Sequence, residues 1–68
     1  MDKLIHNISS NIKRIRLSKH LTQFEVAKKA AISTNHYAKI ERGEVEPTLS
    51  TLERIVKSLK IKSSDILP

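Results

Sequence analysis

Asn35 and Lys39 stand four residues apart, so on a helix they share one face. An asparagine amide pairs with the adenine edge through two hydrogen bonds, and a lysine ammonium donates to guanine O6 and N7. Thr34 and His36 flank them. A threonine meets a thymine methyl or a phosphate, and a histidine gains charge near neutral pH. These four side chains could equally form an ordinary solvated helix face. The elements that position them decide between the two readings. Other chemistry finds little material. His6, His20 and His36 have no ligand-like spacing, the chain has no cysteine, and its one glycine, Gly43, cannot build a phosphate-cradling loop. No catalytic residue, metal or cofactor is expected, no small-molecule effector is evident, and the chain is not expected to be an enzyme.

Charge supplies the second constraint. The 68 residues carry 13 Lys and Arg against 7 Asp and Glu, a net charge of +6. All of the excess falls within residues 1–43, and residues 44–68 are balanced. A uniformly solubilising surface would not be so one-sided, so the partner suggested is a polyanion. Lys13, Arg14, Lys19, Lys28 and Arg42 are candidate phosphate contacts, and Arg42 is the best placed of them.

The positioning elements read as helices throughout. Ile5, Ile8, Ile12 and Ile15 make an apolar stripe on a helix from about Lys3 to Ser18. A second helix, about Gln23 to Ala30, opens with Thr22 and Glu25 in a capping-box arrangement and turns Val26, Ala27 and Ala30 inward. A third, about Thr34 to Arg42, is capped by Ser33 and stopped by Gly43. Two helices joined by so tight a turn, at Ala31-Ile32, form a helix-turn-helix, which lays its second helix in the DNA major groove. Pro47 breaks the pattern, and Thr48 caps a fourth helix on which Leu49, Leu52, Ile55, Val56 and Leu59 form a broad apolar stripe. Residues 63–67 can add a last helical turn. Strand-like alternation is absent, so the class is all-α, and 68 residues allow a single domain.

Thr22-Gln23, Val26-Ala27, Ile32-Ser33, Tyr37, Ile40-Glu41, Arg42-Gly43 and Pro47-Thr48-Leu49 stand in an order and at spacings that resemble the Cro/C1-type helix-turn-helix family. Thr51-Leu52 and the Ile55, Leu59, Ile61 pattern extend the resemblance over roughly residues 11–67. It implies a compact five-helix bundle, a lambda-repressor-like domain, that binds operator DNA as a symmetric homodimer. It implies that Gln23 bonds a phosphate, where the residue alone would read as exposed helix. It implies that Arg16 and Glu41 form a partly buried salt bridge in place of two separate surface charges. Tyr37 has core spacing, and the resemblance adds a phosphate contact through its hydroxyl. Three positions depart from the family pattern. His20 stands where Gly or Asn is usual, Ala31 where the turn often has Gly, and Phe24 where a polar residue is usual. Phe24 either packs under the first helix or is an exposed contact.

Leu59, Ile61, Ile66 and Leu67 are expected at a dimer interface, the alternative being that they close the core. The longest apolar run is too short to span a membrane, and no basic-then-apolar leader opens the sequence, so a cytoplasmic location is expected. The reading is a sequence-specific regulator on a palindromic double-stranded operator, similar to restriction–modification controller proteins or small phage repressors. Two other readings stay open. One is an antitoxin-like module that masks a toxin, and the other is an architectural binder without sequence preference.

Overall fold

Four α-helices follow one another in a computed structural model that describes residues 2–67 in backbone and 7–67 in side chains: α1 (Asp2–Ser18), α2 (Gln23–Ala30), α3 (Thr34–Glu41) and α4 (Leu49–Ser58). A single 3-10 turn, Ser63–Asp65, takes the place of the fifth helix implied by the resemblance. Lys62 before it is extended, at φ −100° and ψ 155°, so the chain after the exit loop of α4 starts afresh as one short turn. Asp65 Oδ2 accepts from the Lys62 amide at 2.8 Å, which closes the turn on itself.

Local signals set the starts. Thr22 Oγ1 accepts from the Glu25 amide at 3.0 Å, and Glu25 Oε1 accepts from the Thr22 amide at 2.8 Å. Both halves of the capping box are therefore made. Ser33 caps α3 through the His36 amide, and Thr48 caps α4 through the Thr51 amide. The stops follow one scheme. His20, Ala31, Gly43 and Lys60 each take positive φ, at 57°, 59°, 73° and 57°. The next amide in each case bonds a carbonyl five residues back, as in Leu21 to Arg16 and Ile32 to Ala27. These are Schellman endings, which favour glycine because a Cβ crowds the left-handed region. Only one of the four has it. His20 and Ala31, atypical in sequence, are thus atypical because they stand where the backbone turns left-handed.

The core joins all four helices. Ile12 and Ile15 from α1, Val26, Ala27 and Ala30 from α2, Tyr37 and Ile40 from α3, and Ile55, Val56 and Leu59 around α4 enclose it. Ile8 packs at its margin, while Ile5 lies outside the described side chains. The small Ala27 and Ala30 let α2 lie close to its neighbours, and its most extensive packing is with α4. Ile66 closes the bottom of the core, fully buried, and the Asn11 amide holds its carbonyl at 2.9 Å.

That closure corrects part of the expected dimer surface. Leu59 and Ile66 are 1% and 0% exposed, so neither has side-chain area to offer a partner. Ile61 is half-buried against the same core, and Leu67 is exposed. Among the described residues, no helix is long and apolar enough to cross a membrane.

Candidate nucleic-acid interface

The period of α3 sorts its residues into two faces. Tyr37, Ala38, Ile40 and Glu41 are buried. Thr34, Asn35 and His36 are exposed, and Lys39 is half-buried. Asn35, Lys39 and Arg42 follow at i, i+4 and i+7, which places them in one outward row. The structure thus brings Asn35 and Lys39 together, with Arg42 at the end of the row. Thr34 stands at the first turn and His36 at the flank.

Behind this row lies a buried ionic network. Arg16 Nε donates to Glu41 Oε2 at 2.6 Å, and a terminal guanidinium nitrogen donates to Glu41 Oε1 at 3.0 Å. The other terminal nitrogen donates to the Leu21 carbonyl at 2.7 Å. This fork fixes α1, the entry to α2 and the end of α3 against each other. Burial works against ionisation of Glu41 and is outweighed by the hydrogen bonds, Arg16 first, so its carboxyl stays below the ordinary carboxylate range. Ser9 Oγ adds a buried tie, donating to the Ile40 carbonyl at 2.8 Å. No sequence signal marked Ser9, because a serine on a helix face has no pattern of its own.

Gln23 belongs to the same network. It occupies the first turn of α2 and donates through Nε2 to Glu41 Oε1 at 3.2 Å. A primary amide has a second N–H, so one donor remains beside the free amides of the helix start.

Tyr37 is a correction. Its ring is fully buried, and its hydroxyl is a buried polar atom without a hydrogen-bond partner. Burial, then the adjacent Glu41 carboxylate, push that hydroxyl far above the ordinary tyrosine range. A phosphate contact would need the hydroxyl at the surface, and it is not there. The residue serves the core.

The cations divide by place. Lys13, Arg14 and Lys19 are exposed on and after α1. Lys28 is exposed on α2, its ammonium 5.9 Å from the centre of the Phe24 ring. Phe24 does not pack under α1; it is 60% exposed. Arg42 pairs with Glu44, both side chains being about half exposed. Solvent screens such an exposed pair, so a phosphate can displace the carboxylate at small cost. Among the described residues, no group of three His, Cys, Asp or Glu side chains could hold a metal ion.

A helix-turn-helix family model matches residues 12–66. The immunity repressor protein of Bacillus phage phi105 is 42% identical over 60 residues, covering 88% of this chain and 42% of the phage protein. The chain therefore spans less than half the length of that relative. An uncharacterised HTH-type transcriptional regulator of Sinorhizobium fredii is 32% identical over 60 residues, covering 88% of this chain and 78% of its own. Among solved structures, the restriction-modification controller protein C.AhdI from Aeromonas hydrophila superposes with a TM-score of 0.89 at 17% identity, over 93% of this chain and 96% of that one. At that identity the likeness is one of fold. The controller protein C.Esp1396I, solved as a tetramer with its natural 35 base-pair operator, superposes with a TM-score of 0.84 at 34% identity, over 90% and 80% of the two chains.

Proposed function

The chain belongs to the Cro/C1-type helix-turn-helix family, and from that premise we propose that it is a transcriptional regulator that binds a palindromic double-stranded DNA operator as a homodimer. The observation that carries the reading is the outward row of Asn35, Lys39 and Arg42 on a helix whose other face is locked by the Arg16–Glu41 fork. A base-reading helix must be rigid, because a bidentate hydrogen-bond pair fails when its donor wanders. Asn35 and Lys39 read base edges, with Thr34 and His36 at the margins of the contact. Gln23, Arg42, Lys13 and Lys28 hold phosphates. The phage repressor and controller relatives both fit this role.

Two copies related by a two-fold axis place their α3 helices about 34–36 Å apart on one side of the duplex. Leu67 and the exposed edge of Ile61 supply the apolar contact for the second copy, now that Leu59 and Ile66 are committed to the core. The test is substitution of the reading face. Asn35→Ala or Lys39→Ala should each cost about 1–3 kcal/mol on the preferred site and relax specificity at one base position per half-site. If both variants keep the full preference of the parent, α3 does not read the sequence.

A further inference from the structure

A second concentration of positive charge lies away from α3. An open groove of about 440 Å³ is lined by Lys29, Arg54, Lys57, Ser58 and Lys60. Lys29 is near the C-terminal end of α2, the end opposite Gln23. Lys57 is near the C-terminal end of α4, and Lys60 follows it in the left-handed exit. No residue of α3 lines the groove.

Residues 44–68 are electrically balanced in sequence, yet three of their four cations meet here and are joined by Lys29 from α2. Among the described residues, none of the four is within ion-pair distance of a carboxylate, the two ion pairs found being Arg16–Glu41 and Arg42–Glu44. Glu25, one turn back on α2, lies near enough to feel the Lys29 charge but not at ion-pair distance. Four cations in one concavity still raise the local potential, which an incoming polyanion relieves. The lining also selects the kind of polyanion. It presents no aromatic or branched aliphatic side chain, and its apolar surface comes from the stems of its lysines and arginine. A protein partner is held chiefly by aromatic or aliphatic anchors in apolar pockets, whereas a phosphodiester backbone needs charge and hydrogen-bond donors alone.

We propose that Lys29, Arg54, Lys57 and Lys60 form a second backbone-phosphate site, which engages DNA outside the bases read by α3. The phosphates come either from the flanks of the same duplex or from a second duplex. The site rests on the chain being a DNA binder but not on which residues read bases.

The test is the variant Lys29→Gln/Arg54→Gln/Lys57→Gln/Lys60→Gln, whose four changes are at exposed positions, with an unchanged melting temperature as its control. Affinity for a long random-sequence duplex is measured by fluorescence anisotropy across a salt series, in the parent and in an Asn35→Ala/Lys39→Ala background. Every phosphate that the protein no longer neutralises makes the log–log salt slope shallower by about 0.9. The expected result is a slope shallower by roughly 3–4 per subunit in both backgrounds. Equal slopes for the variant and its parent overturn the proposal, whatever the Asn35 and Lys39 changes do to specificity. Tighter binding to a lengthened duplex than to one trimmed to the two half-sites assigns the phosphates to the flanks. Capture of a second, differently labelled duplex assigns them to another DNA segment. Unchanged DNA slopes with loss of binding to a polyglutamate peptide would make the groove a protein-docking site and end the phosphate reading.

Discussion

Glu41→Ala should be the most damaging single change away from the apolar core. Of the three hydrogen bonds made by the Arg16 guanidinium, buried between α1 and α3, the substitution leaves only the one to the Leu21 carbonyl. It also strands Gln23 Nε2. Breaking a buried pair by removing one partner costs about 3–5 kcal/mol. Domains of this size hold roughly 0.05–0.15 kcal/mol per residue, or about 3–10 kcal/mol here, so the loss is a large share of the whole. With a urea slope near 1 kcal/mol/M, the midpoint should fall by about 3–5 M. Circular dichroism at increasing urea measures it. Where Glu41→Ala is unfolded without denaturant, Glu41→Gln keeps an acceptor for the guanidinium and should fall between it and the parent. Arg16→Met/Glu41→Leu removes both charges and should return to within about 1 kcal/mol of the parent, because no unpaired charge stays buried. A loss below about 1 kcal/mol for Glu41→Ala would refute this reasoning, since the pair would then behave as a solvated surface contact.

Ala31→Gly relieves a left-handed residue costing about 1–2 kcal/mol, offset by about 0.4–1 kcal/mol of unfolded-chain freedom. A net gain of roughly 0.5–1 kcal/mol should raise the melting temperature by about 2–8 °C, with His20→Gly behaving alike. A melting temperature that falls would contradict the Schellman ending. Stability should decline as pH drops below 4.5, the ordinary value for Glu41, because the folded-state value is lower and the folded form loses its ionised pair only when protonated. Urea midpoints between about pH 2.5 and 7 show this decline, and Glu41→Gln should flatten it. At the other end, Tyr37 is held protonated by the fold, so stability should decline as pH rises past 10.0. Tyr37→Phe should remove that alkaline limb. Ile66→Ala should cost about 2–5 kcal/mol in urea melts, as a core residue does, while Leu67→Ser should leave the monomer's melt nearly unchanged and weaken self-association in sedimentation. The reverse pattern would return Ile66 to the interface.

Much of the scaffold was legible because its signals are local. Thr22, Ser33 and Thr48 each announce a helix start through a side chain that bonds an amide three residues on. The isoleucine spacing of α1 and the inward alanines of α2 follow the helical period. What escaped was set by contacts distant in sequence. Ile66 is apolar in a surface-rich segment, and only the return of that segment to Asn11 on α1 makes it core. Tyr37 has core spacing in the sequence, but only the depth of α3 in the bundle hides its hydroxyl. Ala31 is unusual for its turn in the sequence itself, but Lys60 drew no notice because the ending it occupies is defined by a bond to Val56. Charge counting placed the basic excess before residue 44. It missed the groove, because Lys29 and Lys57 come together through the packing of α2 on α4.

Whether α3 reads sequence as one half of a symmetric pair is decided by selecting binding sites from a random duplex pool with the purified protein. One palindrome should be recovered, with half-site centres about 10–10.5 bp or a multiple of it apart, bound by two subunits. On a duplex trimmed to the two half-sites, with roughly four phosphates neutralised per subunit beside α3, the log affinity should fall with log salt at a slope near −7. Recovery of unrelated sequences with equal affinity, or a slope shallower than about −3 on the recovered site, would contradict it.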